Sequence, residues 1–134
     1  MTLTVADIEK GHRFPPVTFD LSRTWVTAYV GAVGDEAIAS LDQELVPPMA
    51  VTALSIRALL EHAGLAPGTI HAAQEVSYHR PAHIGDKLSV DASVASRGER
   101  AGWVLMGVDL EARSAEGTVM TGRATITFPA EGAG

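Results

Sequence analysis

Between Pro47 and Leu65 the chain reads PPMAVTALSIRALLEHAGL, with no Gly or Pro from Met49 to Ala63. Prolines at the start and Gly64 at the end are residues that open and close a helix. Val51, Leu54 and Ala58 form one apolar ridge, and Ile56, Leu59, Leu60 and Ala63 form a second. Thr52, Ser55, Arg57 and Glu61 are the polar interruptions before His62. A helix apolar around most of its circumference must be covered, so the rest of the chain has to supply a surface that wraps it.

That surface is written in a period of two. Ile70, Ala72, Gln74, Val76 and Tyr78 alternate with His71, Ala73, Glu75, Ser77 and His79 until Pro81. Leu88, Val90, Ala92 and Val94 alternate next, up to a turn expected at RGERAG. Val104, Met106, Val108 and Leu110 follow, then the SAEG turn, then Met120, Gly122, Ala124, Ile126 and Phe128. Short turns between successive strands predict an antiparallel meander. A shorter helix is expected from Leu21 to Val33, capped by Ser22, with Trp25, Ala28 and Tyr29 on one stripe and Gly34-Asp35 closing it. The expected class is α+β: one domain over residues 1–134, a long antiparallel sheet wrapped around one central helix.

Composition narrows the function. The chain has 10 basic and 16 acidic residues, a net charge of −6, and no basic block, which argues against a nucleic-acid surface. A local arginine or histidine can still hold a phosphate-bearing ligand. Without cysteine there is neither a thiol nucleophile nor a thiolate metal site. The start MTLTVADIEKGHR lacks the pattern of a signal peptide, and no apolar run is long enough to span a membrane, so a cytoplasmic protein is expected. Of the five histidines at 12, 62, 71, 79 and 83, only His79 and His83 have a ligand-like spacing. Pro81 between them forbids a helix, so neither a metal nor another cofactor is expected.

The segment HAAQEVSYHRPAHIGDKLSVDASV, His71 to Val94, resembles a strand-loop-strand of the MaoC-like hotdog superfamily. In particular it is similar to the fungal-type fatty-acid-synthase dehydratase-region subgroup, which includes mycobacterial 3-hydroxyacyl-ACP dehydratase subunits. Gln74, Glu75, Tyr78, His79, Arg80, Pro81, Gly85, Asp86 and Leu88 carry the likeness, and VPPMAVTAL resembles the start of the family's hotdog helix. The resemblance implies a hotdog fold and an acyl thioester of CoA or acyl carrier protein as ligand. It leaves activity open, because one fold hosts hydration, dehydration, hydrolysis and plain binding.

Hydratases of this superfamily typically carry Gly-Asp-x-Asn-Pro-aliphatic-His. Adding water to an enoyl thioester needs one group to activate water and another to move a proton, each contributing roughly 10²–10⁴-fold. Laid on that motif, Gly34, Asp35 and Glu36 match, whereas Ala37, Ile38 and Ser40 stand where Asn, Pro and His are expected. Asp35 is thus either the surviving acid/base or a plain turn residue. Ser40 is too weak a base to act unaided and can hold a water. His71 is the candidate to replace the missing histidine, and Glu36 and Asp42 are alternative carboxylates.

Catalytic relatives have His-Gly before the helix, where the glycine amide and the helix dipole polarise the carbonyl. Pro47-Pro48 replaces that pair here, and Pro48 has no N–H to give. The resemblance implies substrate contacts at Pro48, Met49 and Ala50, with the Met49 and Ala50 amides as the carbonyl clamp. His79 and Arg80 either hydrogen-bond across the sheet or form a cationic lip for a CoA or carrier-protein phosphate.

Two readings follow. The first is an (R)-specific enoyl hydratase or 3-hydroxyacyl dehydratase, a hydro-lyase with an incomplete motif. The second is a non-catalytic acyl-binding subunit that needs a partner carrying the Asp/His dyad. A thioesterase is a weaker alternative, with Glu44 as its only nearby carboxylate. The expected assembly is a homodimer or heterodimer with a second hotdog chain, since an exposed strand edge is unstable alone. No nucleic acid or membrane partner is expected.

Overall fold

The computed structural model describes residues 8–33, 44–62 and 70–130. Its elements are β1 (Val17–Asp20), α1 (Arg23–Val33), β2 (Leu45–Val46), α2 (Pro48–His62), β3 (Ile70–Tyr78), β4 (Ala82–His83), β5 (Lys87–Arg100), β6 (Trp103–Ser114) and β7 (Gly117–Pro129). The five-stranded sheet runs β1-β5-β6-β7-β3, and β2 and β4 form a separate pair. All pairings are antiparallel. This is the α+β hotdog arrangement, a long sheet against a helix.

The period of two does its work across β5, β6 and β7. Leu88, Val90 and Val94, then Val104, Met106, Val108 and Leu110, then Met120, Ala124, Ile126 and Phe128 are all buried. They meet Val51, Leu54, Ala58 and Leu59 of α2 in one core. Each large side chain removed from water there contributes about 1.5–3 kcal/mol, so the helix is held by packing more than by propensity. Register shifts between Val94 and Ser96 and between Ala112 and Arg113 mark bulges, which bend long strands around a helix.

Two boundaries differ from the sequence expectation. Helix α1 starts at Arg23, and its buried face is Val26 and Val30, not the Trp25–Ala28–Tyr29 stripe. Trp25 and Tyr29 stack at 5.6 Å and lie half-buried, while Ala28 is exposed. The compact valines fit beneath the helix and the larger rings cover its flank. The RGERAG turn contracts to Ala101-Gly102, with φ of 53° and 82°. Two consecutive positive φ values make the tight hairpin whose twist suits paired strands, so Gly98 to Arg100 stay in the β5–β6 ladder. Strands β1, β2 and β4 are too short for alternation to announce.

Candidate site at the start of the central helix

Strand β2 leads directly into α2 and pairs with β4, Leu45 opposite His83 and Val46 opposite Ala82. That pairing carries the Tyr78–Pro81 connection up against the first turn of α2. Between them lies a pocket of about 360 Å³, lined by Val46, Pro48, Val51, Tyr78, His79 and Arg80 among others. Pro48 takes the first helical position, where a missing N–H costs nothing. The Ala50 N–H is turned onto the Pro47 carbonyl at 2.9 Å. Of the two amides expected to clamp a carbonyl, Met49 is therefore the one left without an intrahelical acceptor. The Met49 side chain stands 57% exposed.

His79 and Arg80 hydrogen-bond across the sheet to β7. The His79 ring Nε2 is 2.8 Å from Thr121 Oγ1, and its backbone N–H donates to Val119 O at 2.8 Å. Arg80 Nε donates to Thr118 O at 3.2 Å, with its guanidinium over Gly117. Both side chains are nevertheless exposed at the pocket rim, and among the described residues neither is paired with a carboxylate. Cross-strand bonding and a cationic lip are therefore compatible, the first holding the second in place.

Sequence reasoning passed over a hydroxyl pair in this pocket. Thr52, 2% exposed, sits with its Oγ1 2.6 Å from the Tyr78 phenol and 3.4 Å from Met120 Sδ. Tyr78 and Met120 face each other in the β3–β7 ladder, so one helix side chain touches both members of a cross-strand pair. The phenol, 41% exposed, also lies 3.6 Å from Met49 Sδ. Nearby, burial and then the Tyr78 phenol raise the Tyr29 pKa above 10.0. The available signal was a threonine on the apolar face of α2, opposite a tyrosine ending an otherwise alternating strand.

Other candidates fall elsewhere. Asp35 and Ser40, with Gly34, Glu36 and Asp42, lie outside the described residues. His71 is in β3 opposite Ile126, seven residues before Tyr78. At roughly 3.3 Å per residue that is about 23 Å along the strand, so His71 is not brought to this pocket. Glu44, with φ of 59°, gives its carbonyl to the Ile84 N–H at 2.9 Å and its carboxylate to Arg23.

Gly85-Asp86 of the shared motif builds a turn. The Asp86 carboxylate accepts the His83 N–H at 2.9 Å, the Asp86 carbonyl accepts Leu21 N–H at 2.9 Å, and Gly85 N–H donates to Leu21 O at 2.8 Å. A larger groove, about 510 Å³, crosses the opposite sheet face. Two of its four acids are in short ion pairs, Asp91 with Arg113 and Asp109 with Arg123, each at 2.8 Å. Among the described residues no group of three or more His, Asp or Glu is placed to hold a metal, and no helix is long and apolar enough to cross a membrane.

Comparison with known proteins places this geometry. Among solved structures, the (R)-hydratase PhaJ1 from Pseudomonas aeruginosa superposes with a TM-score of 0.75 at 24% identity, covering 97% of this chain and 88% of that one. A MaoC-like dehydratase from Rhodospirillum rubrum gives 0.76 at 21%, covering 96% and 98%. The HadBC 3R-hydroxyacyl-ACP dehydratase complex from Mycobacterium tuberculosis gives 0.66 at 24%, covering 89% and 96%. At such identities these likenesses establish the fold. No curated protein matches the sequence. Residues 9–121 match the family described as FAS1-like, dehydratase domain region, and the chain belongs to that family.

Proposed function

We propose that the chain binds acyl thioesters of CoA or acyl carrier protein at the start of α2, within an (R)-specific enoyl hydratase or 3-hydroxyacyl dehydratase system. The carrying observation is the pocket itself, apolar at Val46 and Val51, with the α2 N-terminus on one side and His79 and Arg80 at its rim. Its volume is in the range of small-molecule sites, and its parts match the ligand's. Apolar walls suit an acyl chain, helix N–H groups suit a thioester carbonyl, and rim cations suit phosphate. In this reading Asp35 is the acid/base, Ser40 holds the water, and the Met49 amide meets the carbonyl.

A second reading, a subunit that binds acyl chains but relies on a partner's dyad, is favoured by two features. Ser40 stands at the histidine position and Pro48 at the glycine position. Strand β3 is also terminal in the sheet, leaving an edge for a second hotdog chain of the same or another kind. HadBC, a solved relative in fold, is a complex. Hydration of crotonyl-CoA and longer enoyl-CoAs, by the chain alone and mixed with a hotdog chain carrying Asp-x-Asn-Pro-x-His, separates the two. Turnover alone that falls at least 100-fold in Asp35→Asn supports the enzyme; turnover only in the mixture supports the subunit. If no acyl thioester binds or turns over in either arrangement, both readings fail.

A further inference from the structure

We infer that Tyr78 is the hydroxyl that meets the thioester carbonyl in this pocket, with Thr52 as the residue that aims it. This rests on the acyl-thioester reading above. Tyr78 and Thr52 each have one O–H, and they share a single strong contact, the 2.6 Å oxygen–oxygen pair. Only one of the two protons can occupy it. Among the described residues the other acceptors within reach are thioethers, Met120 Sδ at 3.4 Å from Thr52 and Met49 Sδ at 3.6 Å from Tyr78. A thioether is a weak acceptor. Whichever way the pair is arranged, one proton has no strong acceptor among the described residues and is available to a ligand.

A carbonyl oxygen is such an acceptor, and geometry selects which hydroxyl it meets. Thr52 is sealed at 2% exposure, whereas Tyr78 is 41% exposed and lines the pocket. When a carbonyl arrives, Thr52 turns its proton from Met120 Sδ to the Tyr78 oxygen, and Tyr78 turns its own to the ligand. Accepting one hydrogen bond makes the phenol a better donor of the other. The phenol also lies 3.6 Å from the Sδ of Met49, whose own amide has no intrahelical acceptor. Amide and phenol together make two donors at the start of a helix, so Tyr78 supplies the second donor where Pro48 has no N–H. Tyr78 would touch the substrate; Thr52 is a positioning residue.

The test uses butyryl-CoA with a ¹³C-labelled thioester carbonyl, which is saturated and therefore needs no turnover. Calorimetry gives Kd, and difference infrared spectroscopy gives the carbonyl stretch of the bound ligand. The wild type is expected to move the stretch to lower frequency than in water. In Tyr78→Phe that shift shrinks and Kd rises about five- to tenfold. Thr52→Val reduces the shift in part, and Thr52→Ser restores it, a pattern that a merely structural threonine would not give. Tyr78→Phe removes one partly exposed oxygen, and an unchanged far-UV spectrum shows it folded. Binding with an unchanged stretch in Tyr78→Phe overturns the role of Tyr78, and a wild-type stretch in Thr52→Val overturns that of Thr52. If the wild type binds neither butyryl-CoA nor octanoyl-CoA, the acyl-thioester reading itself is overturned.

Discussion

A Cβ on Gly122 would stand 2.7 Å from the backbone oxygen of Glu75 and 3.0 Å from Val76 Cγ1. Strand β3 lies against β7 only because residue 122 has no side chain, with Val76 and Gly122 directly opposite in the ladder. The blocking atom belongs to the backbone, so it cannot swing aside. Gly122→Ala is expected to destabilise the protein by about 1–3 kcal/mol, as overpacking does. That corresponds to a fall of roughly 3–12 °C in Tm. Since β3 carries Tyr78, the same variant should loosen acyl-CoA binding. A Tm within about 1 °C of wild type would contradict the argument.

Ser22 is the cap of α1. Its Oγ accepts the Trp25 N–H at 3.1 Å, and Leu21 before it and Val26 after it are both fully buried, at the positions of a hydrophobic staple. Ser22→Ala should cost about 1 kcal/mol and Ser22→Gly only a few tenths, because glycine leaves the amide open to water. Urea unfolding of the two variants gives the comparison. Equal losses would mean that the hydroxyl does not cap the helix.

The central helix and the three long strands were legible because each follows one strict period over many residues. Val51, Leu54 and Ala58 line the core as their spacing implies, and so do the alternating residues of β5 to β7. Shorter signals failed for physical reasons. In α1 the valines and the aromatic pair occupy neighbouring stripes, and only packing decides which goes inward. The β5–β6 turn looked long because polar residues dominate it, yet backbone pairing continues through Arg100 regardless of polarity. At the site, the prolines marked the helix start and the family resemblance singled out His79 and Arg80, while periodicity gave only the helix and strands that carry them. It missed the Thr52–Tyr78 bond, which joins residues 26 apart in sequence and exists only once α2 lies on the sheet.

The raised pKa of Tyr29 sets an alkaline limit on stability. Burial is the larger cause and the Tyr78 phenol the second, and both disfavour the phenolate in the folded state. Below pH 10.0 the phenol is neutral in both states and the contribution is fully present. Above it the unfolded chain releases the proton first, binds fewer protons than the native state, and stability falls with pH until the folded phenol also ionises. Urea titrations between about pH 9 and 11 should show a steeper decline for wild type than for Tyr29→Phe. Parallel curves would mean that the folded protein does not hold this phenol neutral.

Arg80 offers the sharpest separation between a sheet contact and a ligand contact. Only its Nε is used in the 3.2 Å bond to Thr118 O, and the guanidinium lies at the pocket rim. Arg80→Lys keeps the charge but loses the planar fork; Arg80→Ala loses both. If the rim receives phosphate, Arg80→Ala should weaken acyl-CoA binding about tenfold while leaving a phosphate-free acyl-N-acetylcysteamine thioester unaffected. The wild-type preference for the CoA ester should also shrink as salt is raised, because an exposed ion pair is screened. Arg80→Lys should fall between the two. A uniform loss on both esters, together with a lowered Tm, would assign Arg80 to the sheet alone.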